Sequence, residues 1–311
     1  MNCNWVFMHT KKVTSIIFLS ILCLLIAIFI FNNLNRYEKL PVLNSLSETV
    51  LEAGTAEMKK HKILIMGITR DNAKPLPNVI KHIEHTGAFF KDYKVIVFEN
   101  DSKDGTKEIL QNWQGSNPRV KILSQDFDFK KRISIAFLAQ ARNYYITEMS
   151  KNKEYDDFDV IMILDLDLRY GWDLRGTMDS FSKFDQWDAV CSNGITKRGR
   201  MNDMFAFRNN EFPFLPSHEG YWGEIVPRGQ KRYSVGDPMV PVHSCFGAMA
   251  FYKREAIEGC VYGSIKEDCE HVLFHECVVN KNNGRMFMNP SQVIRYSIDL
   301  WTKIYSGLLL K

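Results

Sequence analysis

From residue 62 onward, short apolar runs alternate with longer segments whose apolar residues recur every three or four positions. "KILIMGIT" (62–69), "YKVIVFEN" (93–100), "VKILSQ" (120–125) and "FDVIMILDLDL" (158–168) are of the first kind and predict strands. "LPNVIKHIEHTGAFF" (76–90), "KEILQNW" (107–113) and "ISIAFLAQARNYYITEMS" (133–150) are of the second kind and predict helices. Alternating strands and helices predict an α/β domain with a mostly parallel sheet and helices on both faces. Ligands of such sheets bind outside the carboxyl ends of the strands. Two polar stretches fall there, "ENDSKDGT" (99–106) and the "DLD" of residues 165–167.

The N-terminal pattern differs. Residues 13–35, "VTSIIFLSILCLLIAIFIFNNLN", run 23 positions without a charge. As a helix they would reach roughly 34 Å, enough to cross a bilayer core of about 30 Å. No small-residue cleavage site follows in "FNNLNRYEKL", so a retained signal anchor is expected rather than a cleaved signal peptide. Lys11 and Lys12 precede the span and favour a cytoplasmic N-terminus, with Arg36 and Lys39 weakening the asymmetry. The expected order is a cytoplasmic tail (1–12), an anchor (13–35), a partly helical stem (36–61) and one α/β domain (62–311). The domain would face the lumen of the Golgi or ER, or, in a bacterium, the outer side of the inner membrane.

Composition narrows the function classes. Hydrophobic residues at 45% and charged residues at 24% exclude disorder. The net charge of +4 is spread along the chain without a basic block, which argues against nucleic acid as a partner. Of seven cysteines, Cys3 and Cys23 belong to the tail and anchor. Cys191, Cys245, Cys260, Cys269 and Cys277 can form two bridges at most. Cys269 and Cys277 cannot pair if their segment is helical, because eight residues rise about 12 Å.

The loop "ENDSKDGT" reads either as a turn with a helix N-cap or as a nucleotide site, with Glu99 and Asp101 accepting hydrogen bonds from base or ribose. Asp165 and Asp167 are clearer. They follow a buried strand directly, and alternate strand residues point to one side. Two such carboxylates suit one divalent cation, Mn²⁺ or Mg²⁺, which in turn can clamp a diphosphate.

The succession of strand, "ENDSKDGT", strand and "DLD" resembles the GT-A fold of nucleotide-sugar glycosyltransferases. "CFGAMAFYKREAI" (245–257) is similar to the glycine loop and following strand on the acceptor side of that fold. "YGSIKEDCEHVLFHECVVNKNNGRMFMNP" (262–290) is similar to the acidic-pair helix of the large inverting family 2. The nearer resemblance is to the fungal capsule-associated α-1,3-mannosyltransferases of family 69, which have counterparts of "RISIAFLAQARN", "PVHSCFGAMAFY" and "CEHVLFHECV…GRMFMNPSQVIRYS".

The resemblance implies a metal held by Asp165 and Asp167. It implies a nucleotide-sugar donor, GDP-mannose among the candidates, facing Glu99, Asp101 and Asp165. Arg132 and Arg142 would contact donor phosphates or brace the "DLD" strand, and Arg142 fits the bracing role better. Asp268 or Glu270 would act at the acceptor, a glycan or glycoprotein hydroxyl, unless the pair caps its helix. No histidine follows His275, so the metal-ligating histidine of many GT-A enzymes has no equivalent after the last strand. His243, His271 and His275 are weaker substitutes. The rival readings are a nucleotidyl- or sugar-phosphate transferase and a non-catalytic membrane-anchored carbohydrate-binding protein.

Overall fold

The computed structural model describes residues 17–29, 45–127, 134–195, 201, 203–211, 231–263 and 268–295. The chain divides into two units, Met1–Pro41 and Val42–Lys311. In the first, residues 17–29 form helix α1, whose large apolar side chains are exposed. No helix among the described residues is long and apolar enough to cross a membrane, and these 13 positions are the described part of the expected anchor.

The second unit runs α2 (Glu48–Met58), β1 (Lys62–Thr69), α3 (Leu76–Gly87), β2 (Asp92–Glu99), α4 (Thr106–Ser116), β3 (Val120–Ser124), α5 (Ile135–Lys151), β4 (Val160–Asp165), α6 (Leu174–Phe181) and β5 (Ala189–Ile195). β6 (Val240–Pro241), β7 (Met249–Lys253), α7 (Glu270–Glu276), a π-helical continuation over Cys277–Lys281 and β8 (Met286–Arg295) complete it. The sheet order is β3-β2-β1-β4-β7-β5-β8-β6.

The expected parallel arrangement holds for the first four of these strands. Beyond them the sheet is mixed rather than mostly parallel. β7 runs antiparallel to both β4 and β5, and β6 antiparallel to β8, while β5 and β8 are parallel. The reversal of β7 has a local cause. The chain reaches it through a turn at Gly247 and Ala248, beside the carboxyl end of β4, where Asp165 N donates to Ala248 O at 2.9 Å. A strand entering from that end must run back along its neighbour.

Strand side chains alternate between two cores, as pleating requires. Leu64, Met66, Ile96, Ile161 and Ile163 join Tyr145, Met149, Val272 and Phe274 of α5 and α7. Ile63, Ile65, Val95, Val97 and Met162 join Met58, Val79, Leu110, Trp113 and Phe181 of α2, α3, α4 and α6. Helices therefore cover both faces, and each such side chain contributes about 1.5–3 kcal/mol by leaving water.

Two disulfides form, Cys191–Cys245 and Cys260–Cys277, with Cα atoms 5.9 and 5.7 Å apart. Cys269 stays free and buried. Closing loops of these lengths limits the unfolded chain and is worth about 3–4 kcal/mol each on the chain-entropy account.

Within the segment expected to be a stem, α2 is capped by Ser47 and lies close against α6. A Cβ on Gly54 would meet the Met178 carbonyl oxygen at 1.9 Å, so only glycine permits this approach. Met58 is fully buried, and His61 Nδ1 lies 2.5 Å from Asp159 Oδ2.

Candidate active site

The register of the parallel strands places Thr69 beside Glu99 and Ile68 beside Asp165, so β1, β2 and β4 end together. A cleft of about 250 Å³ opens at these ends, lined by Thr69, Arg70, Asn72, Asn100, Arg142, Asp165 and Asp167 among others. Asp165 and Asp167, singled out by their place after an apolar run, are thus brought to one cleft.

Asp165 is held from behind. Its Oδ1 accepts a hydrogen bond from Arg142 Nη2 at 3.0 Å. Arg142, on α5, is almost wholly buried and donates through Nε to Glu270 Oε1, also at 3.0 Å. Its guanidinium lies 5.2 Å from the Phe246 ring and 5.7 Å from the Tyr262 ring. The residue braces the strand end, the second of the two roles its position allowed. Burial pushes the Asp165 carboxyl up to about 7; Arg142 opposes the rise, and the nearby charges of Asp167 and Glu270 add to it.

Glu99 and Asp101 are buried in the loop after β2. Glu99 accepts from Ser102 N at 2.9 Å and from Ser124 Oγ at 2.6 Å. Asp101 has a left-handed backbone (φ 52°) and accepts from Asn100 Nδ2 and Phe127 N, both at 2.9 Å. The same loop steadies the cleft's other wall. Ser102 Oγ accepts from Asp71 N at 3.0 Å, and Thr106 Oγ1 accepts from Asn72 N at 2.7 Å. The turn-forming role of "ENDSKDGT" is therefore realised in detail beside the cleft. Arg132 lies outside the described residues.

The acidic pair at the start of α7 makes a different arrangement from helix capping. Cys269 is the N-cap residue and makes no side-chain cap bond. Each acid is joined to an arginine instead. Asp268 Oδ1 accepts from Arg208 Nη2 at 2.6 Å, and Glu270 pairs with Arg142. His275 is a core residue, with Nδ1 2.9 Å from Ser244 Oγ and Nε2 2.8 Å from Tyr252 Oη; burial lowers its pKa to about 3. His271 stacks on Phe246 with ring centres 3.8 Å apart, and burial keeps it neutral as well. His243 Nε2 sits 2.7 Å from Asn210 Oδ1.

Two residues escaped the sequence reading. Arg208 is buried, donates to the Phe205 and Phe207 carbonyls, and carries Asp268. Asp203 accepts from Gly247 N at 2.7 Å and so touches the glycine turn that also meets Asp165. Burial raises its carboxyl, with the Gly247 hydrogen bond pulling it partly back and Glu270 adding to the rise. Neither residue lies in a periodic segment, and no spacing signal marks "MNDMFAFR" (201–208).

The donor set suits a hard divalent cation. Among the described residues, Asp165 and Glu270 both pair with the guanidinium of Arg142, whose charge also acts on Asp167. Among the described residues no group of three or more His, Cys, Asp or Glu gathers to hold an ion.

Solved structures similar to the chain include Staphylococcus aureus TarS 1–349, at 12% identity and TM-score 0.45, covering 75% of this chain and 59% of that one. The Pyrobaculum calidifontis mannosyltransferase PcManGT, in complex with GDP-Man and Mn²⁺, matches at 14% identity and TM-score 0.44 over 81% and 64% of the two chains. The chain thus spans about three fifths of the length of these structures. No curated protein matches it. The family model described as Cryptococcal mannosyltransferase 1 matches residues 62–283, from the first strand of the sheet to the end of the helix that carries Glu270. That match takes in most of the chain and the whole cleft, and the chain belongs to this family of glycosyltransferases.

Proposed function

We propose that the chain transfers a sugar, mannose in the first instance, from a nucleotide donor to a hydroxyl of a glycan or glycoprotein. The observation that carries this reading is the pair Asp165 and Asp167 at the carboxyl end of β4, opening on a cleft within a domain of mannosyltransferase family. Asp165 and Asp167 would hold Mn²⁺ or Mg²⁺, which, when bound, neutralises the charge of the departing diphosphate. The loop of Glu99 and Asp101, rigid and beside the cleft, is suited to the nucleoside, and Arg132 is placed by sequence in the segment leading to α5. Asp268 and Glu270, each paired with an arginine, would lie on the acceptor side.

We also propose that residues 13–35 anchor the chain in a membrane, with the second unit on the lumenal side of the Golgi or ER. The uncharged span and the exposed apolar side chains of α1 support this. Two disulfides suit such an oxidising compartment.

The deciding assay offers the purified full-length chain a panel of sugar nucleotides, GDP-mannose first, with and without Mn²⁺. Release of nucleoside diphosphate is expected. Release of pyrophosphate or transfer of a phosphosugar would favour the nucleotidyl- or sugar-phosphate transferase reading. Asp167→Asn is expected to keep its fold, because removing one of two neighbouring carboxylates relieves repulsion. It should lose transfer, and with it the roughly 2.7 kcal/mol of stabilisation that metal plus donor give at a hundred times the dissociation constant. Full Mn²⁺-dependent activity in this variant would refute the metal assignment.

A further inference from the structure

We infer that Asp203 is the carboxylate that meets the acceptor hydroxyl, while Asp268 and Glu270 serve as the anionic halves of two buried ion pairs. This rests on the glycosyltransferase reading above and deepens it.

Among the described residues, Glu270, Asp268 and Asp203 are the carboxylates to weigh on the side of Asp165 proposed for the acceptor. Glu270 is about 5% exposed, with Oε1 committed to Arg142. Asp268 holds the Nη2 of the buried Arg208 at 2.6 Å and the Cys269 amide at 2.8 Å, both through Oδ1. Asp203 is partly exposed and, among the described residues, enters no ion pair. Its fixed partners are neutral backbone donors, Gly247 N at 2.7 Å and the Ala206 amide. A carboxylate already matched to a buried guanidinium has little capacity left for a hydroxyl, whereas a partly exposed one outside any ion pair retains more.

The position fits. Gly247 and Ala248 both have left-handed backbones (φ 63° and 69°). Gly247 cannot carry a side chain, since a Cβ would meet the Ser192 carbonyl at 2.1 Å. Ala248 lacks glycine's freedom there and stores strain, which folds keep mainly where a site needs it. This turn ties the two acids together, with Gly247 N on Asp203 and Ala248 O on Asp165 N. Asp203 is thereby fixed one short turn from the proposed metal-binding acid, on the side away from the nucleoside loop.

In the transfer, the acceptor oxygen bonds to the anomeric carbon as that carbon's bond to the diphosphate oxygen breaks. The electron pair leaves with the nucleoside diphosphate, and the hydroxyl proton passes through Asp203 to the solvent. Asp203 accepts the hydrogen bond of the attacking hydroxyl, turns its lone pair to the anomeric carbon and sets a negative charge near the carbon as positive charge develops on it.

The test uses the full-length chain, a panel of sugar nucleotides with Mn²⁺, and a panel of methyl glycosides as acceptors. Asp203→Asn keeps an oxygen for Gly247 N, so its melting temperature and its thermal stabilisation by GDP-mannose plus Mn²⁺ should match the wild type. Its kcat for transfer should fall about 10²–10³-fold. Asp268→Asn should instead lower the melting temperature, because it takes the carboxylate from the buried Arg208, and Glu270→Gln should lower it less, because Arg142 keeps Asp165. Wild-type transfer with Asp203→Asn within a few-fold of it overturns the inference and leaves the glycosyltransferase reading standing. Loss of donor stabilisation in Asp203→Asn also overturns it, because the residue would then serve the donor side. No transfer by the wild type overturns the reading itself, and the inference with it.

Discussion

The two ends of the sheet treat their acids in opposite ways. At the end where β4, β5 and β8 begin, carboxylates are saturated. Asp188 takes hydrogen bonds from Arg285 N and Nε at 2.9 Å and from Lys253 Nζ at 3.1 Å. Burial alone would raise its pKa, but these bonds outweigh it and hold the carboxyl far below the usual range. Asp159 is likewise held down, burial being outweighed by His61 and the Lys62 amide. At the end where β1, β2 and β4 finish, burial wins. Asp165 is pushed up to about 7 and Asp203 is raised. The first end is built so that its charges stabilise the fold without any ligand. At the second, burial and neighbouring carboxylates disfavour the charged forms of Asp165 and Asp203, a pattern that functional sites show more often than structural ones do.

The largest expected effect tests whether the carboxyl end is held by one cation. Arg142→Leu leaves Glu270 buried and unmatched and takes from Asp165 the single ion pair it makes among the described residues. Thermal unfolding should show a loss of about 3–5 kcal/mol. Adding Glu270→Gln should recover part of it, since removing both members of a buried pair costs less than removing one. An unchanged melting temperature in Arg142→Leu would break the comparison at its active end.

A smaller effect is expected at the opposite end. Asp188→Asn weakens several charge-assisted hydrogen bonds and should cost about 1.5–3 kcal/mol at neutral pH. The sign in acid follows from the depressed pKa. The contribution of Asp188 is present above the ordinary carboxylate value of about 3.8 and is lost as pH falls through its lower folded value. Wild type and variant should therefore converge in stability at strongly acid pH. A gap that stays constant down to pH 2 would mean that the ion pairs are not its source.

Much of this was legible in the sequence, and the gaps have a physical pattern. β1, β2, β3 and β4 with their crossover helices are local units, and period-two and period-3.6 patterns found them to within a few residues. Asp165 and Asp167 were legible because a buried strand ended on them. The place of β7 between β4 and β5 was not, since strand pairing across some ninety residues leaves no mark on local periodicity. The ion pairs Arg142–Glu270 and Arg208–Asp268 span 128 and 60 positions, so the sequence left the acidic pair open between an acceptor-side role and capping its helix. Asp203 lay in a stretch without pattern and is informative only once Gly247 is seen beside it. Docking of α2 hinged on Gly54, a residue that reads as a helix weakener until its neighbour is known.

The smallest effect concerns the clasp that holds α2 to the stable end. His61 sits between Asp159, at 2.5 Å from Nδ1, and Glu57, at 3.1 Å from Nε2, with its ring 4.2 Å from that of Phe184. Burial would lower its pKa, but the two carboxylates outweigh burial and raise it. A raised histidine stabilises the fold fully below its unfolded value of about 6.5 and loses that contribution as pH rises through the higher folded value. Because Asp159 is more than half exposed, the pair is worth only about 0.5 kcal/mol. Asp165 titrates nearby and also makes stability depend on pH, so the wild type alone cannot isolate the clasp. The difference between wild type and His61→Gln can, since Asp165 is common to both. That difference, read from urea unfolding at a series of pH values, should be largest near pH 6 and shrink toward pH 9. A difference that grows with pH instead would mean that His61 is neutral in its pocket, and that the clasp is held by ring packing on Phe184 and not by charge.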